Sequence, residues 1–258
     1  MLRTSSPNWL TPTMLRAAQS GPRRAPASAA PDIPGSGYIG IRPGSEEIAP
    51  YGCTMNYIFK KSGAFAIGTA GHCTDHLGQT VTLLTLEPDS KIPVIVDVGK
   101  VVVRRFDPNK LAPDFSIIAI DPKFYPWVFP TQAQVLGPCG AYTGNGLTSV
   151  PVPTVIKGQE SHVEPEVLFH YGHGLGIGTG GTPRSGVSIY WDAITYWWDS
   201  PAAPGDSGSG VHTSSLAAAG NLTDLVVYTD HPGAFVEGTR ISQMTATGWQ
   251  LVNSPYCP

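Results

Sequence analysis

The sequence has little charge. Only 14% of its 258 residues are Asp, Glu, Lys or Arg, against about 25% in an average soluble domain. The formal net charge is −3, so the broad basic footprint of a nucleic-acid binder is absent. No apolar run is long enough to span a bilayer as a helix, which excludes a membrane-spanning helix. A strict glycine period is missing, which excludes a collagen-like chain. Ala, Glu, Lys and Leu are too few for a helical bundle or coiled coil. Hydrophobic residues still reach 41%, too many for a chain disordered throughout. The first 31 residues lack acid altogether while carrying Arg3, Arg16, Arg23 and Arg24. With five prolines, this start reads as a leader or propeptide remnant over 1–36, set apart from the folded region. Ala27-Ser28-Ala29 looks like a cleavage site but has no apolar run before it, so a signal peptide is not convincing.

Turn formers and short strands are what the sequence has in quantity. Gly (30) and Pro (25) together are far above average usage. They punctuate stretches of alternating or β-branched residues at 38–42, 53–61, 64–69, 79–84, 94–105 and 114–120. A second group follows at 150–156, 166–171, 186–191, 194–198, 210–213, 222–229 and 234–241. Val101-Val102-Val103 and Ile117-Ile118 are too apolar for an exposed sheet face. Only 241–251 has the spacing of a short helix. Pro122, Pro126 and Pro130 divide the strands into two sets of about six. The expectation is therefore all-β: two packed six-stranded antiparallel barrels, over 37–130 and 131–258, with a cleft between them.

The four cysteines are Cys53, Cys73, Cys139 and Cys257. None forms a C-x-x-C pair, which argues against a zinc knuckle. An even count suits two disulfides and an oxidising compartment; four buried thiols are the alternative, and three pairings are open.

Three segments carry chemistry. Ser207 lies in Gly205-Asp206-Ser207-Gly208-Ser209-Gly210. Glycines permit positive φ and leave backbone N–H groups uncovered, so this turn can expose a serine beside donors aimed at one point. A serine needs a base within hydrogen-bond reach, and the imidazole pKa suits that role. His72 lies in Thr69-Ala70-Gly71-His72-Cys73. The base needs a carboxylate to hold its tautomer, and Asp114 opens the apolar segment Asp114-Phe115-Ser116-Ile117-Ile118. Asp97, Asp107 and Asp121 are rivals, but the last two sit beside prolines and read as turn residues.

The histidine and serine segments, in the order His, Asp, Ser, resemble the motifs of chymotrypsin-like (trypsin-like) serine peptidases, especially bacterial members. The resemblance covers about residues 37–252. It implies two six-stranded barrels with His72, Asp114 and Ser207 in the cleft, and an oxyanion hole from the N–H groups of Gly205 and Ser207. It also implies a polypeptide substrate, a protein inhibitor as a further partner, and neither cofactor nor metal. A secreted, extracellular monomer with no nucleic-acid or membrane partner is expected. A catalytically silent peptide-binding member and an esterase with the same triad are the alternative readings. The resemblance pairs Cys53 with Cys73, which leaves Cys139 and Cys257 for each other. It further implies a buried cation against Asp206, either a freed N-terminus or an arginine, and Arg184 is the candidate.

Other features have plainer readings. The glycine-rich run at 172–181 has no βαβ context for a nucleotide. His162, His170 and His173 match no standard metal spacing and read as surface or turn histidines. Trp191, Trp197 and Trp198 suit strand packing. Basic specificity in the family needs an aspartate six residues before the serine, where this chain has Pro201. Ala202 and Ala203 instead suggest an uncharged P1 pocket, with Thr229 near it on the strand ending at 229.

Overall fold

A computed structural model of the chain describes residues 39–110, 112–131, 137–142, 166–174, 181–227 and 234–257. In the first half, short β-rich segments become β1 (Glu46–Ala49), β2 (Cys53–Thr54), β3 (Ile58–Lys61), β4 (Ala64–Thr69), β5 (Thr80–Leu86), β6 (Pro93–Arg105) and β7 (Phe115–Ile120). The second half forms β8 (Val167–Gly172), β9 (Thr182–Trp191), β10 (Thr195–Asp199), β11 (Gly210–Thr213), β12 (Ala218–Val227), β13 (Ala234–Arg240), helix α1 (Ile241–Thr245) and β14 (Gln250–Leu251). Strands β8 to β13 close into a six-stranded barrel in the order β10-β13-β12-β11-β8-β9.

The first sheet differs from the expected six closed strands. It is an open sheet in the order β14-β3-β4-β7-β6-β5-β1-β2. The segment expected as one strand over 53–61 bends at residues 55–57. Its first part pairs with β1 and its second part with β4. At the bend the Met55 N–H donates to Ser45 O (2.9 Å) and the Asn56 N–H to Gly68 O (2.8 Å). β2 at one margin and β3, beside β14 at the other, are thus one continuous stretch of chain, and the sheet curls towards a barrel. Of the segment expected over 38–42, the described residues 39–42 make only isolated bridges, Ile39 to Leu86 and Ile41 to Val128. β1 takes its place. Its Glu46-Glu47 pair reads as loop in sequence, yet both residues are buried.

The helix expected over 241–251 also stops early. Gly248 adopts φ +87°, a conformation that ends helices and favours glycine. β14 then pairs antiparallel with β3, Leu251 opposite Phe59. β14 therefore adds an edge to the first sheet, while Asn253, Ser254 and Cys257 after it bond to Gly140, Pro138 and Cys139. The candidate strand at 150–156 lies outside the described residues.

Period-two alternation explains the apolar runs. In β7, Ile118 and Ile120 point into the first barrel with Ile58, Ile67 and Leu83. Phe115 and Ile117 point the other way, onto Tyr57, Phe59, Ala218 and the α1 residues Ile241 and Met244. Both faces of this strand are covered, so it has no polar side. Leu168, Trp191, Tyr196, Trp198, Val211 and Val236 fill the second barrel. Hydrogen bonds also cross the seam, as where the Tyr57 hydroxyl donates to Val211 O (2.6 Å).

Two disulfides are formed, Cys53–Cys73 and Cys139–Cys257, closing loops of 20 and 118 residues. In the chain-entropy account the longer loop restrains the unfolded chain more, about 5 against about 3 kcal/mol. The Cys139→Ser, Cys257→Ser double variant should therefore lose more stability in urea unfolding than Cys53→Ser, Cys73→Ser. Equal losses, or the reverse order, would refute the loop-length account for this chain.

Candidate active site

His72 sits on a short turn, Gly71–Cys73, at the end of β4. Asp114 immediately precedes β7, which pairs with β4, so the two strands bring the side chains together. Asp114 Oδ2 lies 2.6 Å from His72 Nδ1, and Asp114 Oδ1 accepts the His72 backbone N–H at 2.9 Å. An ionised carboxylate only accepts, so Nδ1 is the donor, which leaves Nε2 as the lone-pair nitrogen whenever the ring is neutral. Gly71 makes this approach possible. A Cβ there would lie 2.8 Å from Asp114 Oδ1 and 2.4 Å from Arg105 O.

Asp114 is 2% exposed and is pinned from the other barrel. Its backbone N–H donates to Thr239 Oγ1 (2.8 Å), and its carbonyl accepts from Asn221 Nδ2 (3.1 Å). Burial by itself would lower the His72 pKa. The hydrogen bond and charge of Asp114 oppose it, Asp224 adds to them and Arg104 works against them. The net result lies above the ordinary imidazole value.

Ser207 is half-buried on the turn between β10 and β11. Gly205 and Gly208 flank it with φ +102° and +89°, the left-handed region where a side chain is strained. Gly208 also packs against the first barrel, where a Cβ would stand 2.2 Å from Thr54 O. Thr54 grips the turn at two points. Its N–H donates to Ser207 O (2.8 Å) and its hydroxyl to Gly205 O (2.8 Å). Among the described residues nothing accepts the N–H of Gly205 or of Ser207, so both donors are left for a ligand.

Asp206 is fully buried. Its Oδ2 accepts from Arg184 Nη1 and from the Ala203 N–H (2.8 Å). Its Oδ1 accepts the Gly174 N–H (2.9 Å), and Arg184 Nη2 donates to Gly174 O (3.1 Å). The arginine proposed from sequence is therefore the cation that Asp206 meets. The glycines at 172 and 174 follow from this pair, because a Cβ at Gly172 would lie 2.2 Å from Asp206 Oδ1 and one at Gly174 2.7 Å from Asp206 Cγ. The glycine-rich run thus makes room for a carboxylate; its part at 175–180 lies outside the described residues.

His72 and Ser207 line one cavity of about 610 Å³. Ala202 and Ala203 form part of its wall, as expected, and residues 222–225 of β12 form another side. Thr229, expected near the pocket, is outside the described residues. Asp224, on that wall, carries no signal in sequence that would have singled it out. Burial, reinforced by the Asp114 charge, raises its pKa.

The tryptophans pack as expected, but His170 and His173, expected at the surface or in turns, are both buried. Trp191 and Trp198 are core residues of the second barrel. His170 is 1% exposed, and burial pushes its pKa down to about 4. His173 Nε2 lies 2.8 Å from Gly44 O; His162 is outside the described residues. The sulfurs of Cys53 and Cys73 lie near His72, but their disulfide removes the thiolates a metal would need. Arg184 is 9% exposed at its side chain and Asp206 0%. Arg184→Met leaves a buried charge without its partner, expected to cost about 3–5 kcal/mol. Denaturant unfolding checks this, and a loss under about 1 kcal/mol would contradict the role given to the pair.

No protein-family model and no curated protein sequence matches the chain. Solved structures do. Thermobifida fusca Protease A superposes with TM-score 0.51 at 18% identity, covering 82% of this chain and 98% of that one. Nocardiopsis protease gives TM-score 0.50 at 16% identity, over 82% and 98%. A glutamic acid specific serine protease, described as using a histidine triad in substrate binding, gives TM-score 0.50 at 15% identity, over 82% and 100%. With a closed six-stranded barrel facing a curled second sheet, the chain has the chymotrypsin-like double-barrel fold.

Proposed function

We propose that this chain is a serine endopeptidase acting through an acyl-enzyme. The reading is carried by the His72–Asp114 pair opening onto the cavity that Ser207 also lines. In this mechanism His72 Nε2 takes the Ser207 Oγ proton as Oγ bonds to the peptide carbonyl carbon. The oxygen that becomes negative receives the N–H groups of Gly205 and Ser207. The C–N bond then breaks, and His72 returns the proton to the leaving amine. Water, deprotonated by His72, releases the acyl group and restores Ser207. Asp114 keeps Nδ1 protonated and stabilises the imidazolium.

A polypeptide substrate is supported by a free strand edge. β12 pairs with β13 along its length, but its pairing with β11 ends at Asn221 opposite Gly210. Leu222 still bonds to Gly208 and Ser209; beyond it, among the described residues, the other edge runs beside the cavity at residues 223–225, where an extended peptide can add as a further strand. The walls at Ala202 and Ala203, with Pro201 six residues before Ser207, support an apolar or uncharged P1 residue. Two disulfides fit an oxidising compartment, and this reading includes secretion.

Fluorophosphonate should label Ser207, with labelling lost in Ser207→Ala and kcat falling about a millionfold. Folded protein that resists labelling would sink the peptidase reading. Cleavage of a peptide library should occur after uncharged residues, and dominant cleavage after Arg would overturn the P1 assignment. The base must be neutral to act, so kcat/KM should fall as pH drops through the His72 pKa. Because that pKa is raised above 6.5, the acid limb should lie above pH 6.5. A flat profile down to pH 5 would exclude His72 as the base.

A further inference from the structure

The cleft holds a carboxylate that the mechanism does not use. Asp224 lines the same cavity as His72 and Ser207 and is half-buried. Among the described residues no lysine or arginine lies within ion-pair distance of it. The cavity's lysine, Lys110, turns to Asp107 at 3.3 Å. The His72 ring and a hydrogen bond with Thr223 favour its ionised form, and a carboxylate taken partly out of water gains further from a ligand that brings a full positive charge. Burial and the nearby Asp114 already push its carboxyl upward, and a cation docked beside it would relieve that.

The position along the substrate follows from strand geometry. A peptide added to the free edge of β12 presents successive side chains to opposite faces. With P1 against Ala202 and Ala203, the P2 side chain turns the other way, towards His72, Phe106 and Asp224. Asp224 is electrostatically coupled to His72, which fits a place on that side of the cleft. Phe106 adds an aromatic surface whose ring stands 6.1 Å from the His72 ring. A long basic side chain matches this site. Its aliphatic stem covers the apolar wall while its charged end reaches the carboxylate.

We infer that Asp224 is a specificity-determining residue that gives the cleft a preference for Lys or Arg at P2, next to an uncharged P1. The inference rests on the peptidase reading, and its test separates the two. Peptides with P1 held constant and P2 varied are compared by kcat/KM for the intact chain. Lys and Arg at P2 should be favoured over Leu by about fivefold, and over Glu by more. The preference should shrink as salt rises and vanish in Asp224→Asn and Asp224→Ser. A wild-type enzyme with no P2 preference for cations overturns the assignment, as does a preference that survives both substitutions. Fluorescence anisotropy of the same labelled peptides on Ser207→Ala reads the preference without turnover. Cationic-P2 binding lost in Asp224→Asn, Ser207→Ala, from a parent chain that fluorophosphonate does not label, refutes the peptidase reading and upholds Asp224. Labelling and cleavage without P2 discrimination refutes Asp224 alone.

Discussion

The arrangement around Ser207 depends on one buried charge. Asp206 has no exposed surface, and a carboxylate so placed is tolerable only when paired and hydrogen-bonded. Arg184 on β9 supplies the charge, and the N–H groups of Gly174 and Ala203 supply the rest. Because Asp206 adjoins Ser207, satisfying its carboxylate also fixes the turn that points Ser207 and its neighbouring N–H groups into the cleft. The same demand dictates glycine at 172 and 174, where a Cβ would occupy the carboxylate's space. An internal arginine makes the ion pair part of the chain's own fold.

The first barrel completes this turn from the other side. Thr54 holds both Gly205 and Ser207, while Asn221 and Thr239 of the second barrel hold Asp114 of the first. Each barrel thus anchors the other's reactive residue. The apolar seam of Tyr57, Phe59, Phe115 and Ile117 keeps the two in register. The geometry at His72 is consequently a property of the interface. Burial alone would work against the imidazolium, and the short contact with Asp114 reverses that effect.

The candidates His72, Asp114 and Ser207 were legible because the proposed chemistry is restricted to few residue types and because glycines mark the turn that needs positive φ. The strands were legible wherever alternation or β-branching was strong, as at Ala64–Thr69 and Gly210–Thr213. β1 was not, because Glu46-Glu47 is buried only by partners far along the chain. Glu47 accepts from Thr69 Oγ1, and His173 Nδ1 stands 3.7 Å from Glu46. The bend in 53–61 was hidden for a similar reason, since Met55 and Asn56 bond to different strands. Thr54, Asn221, Thr239 and Asp224 are ordinary strand residues, and only their neighbours in space give them a role.

By itself the sequence determined the β class, the division into two strand groups, and the candidate serine, histidine and aspartate. Those features follow from local periodicity, turn chemistry and the few side chains able to move a proton at neutral pH. Tertiary structure decided that the first sheet curls around a bent strand, that β14 returns to its edge, and that Arg184 is the partner of Asp206. It also decided that residues 222–225 border the cleft, with Asp224 among them. These are outcomes of long-range pairing and burial, in which each residue's environment is set by segments that a linear reading leaves far apart.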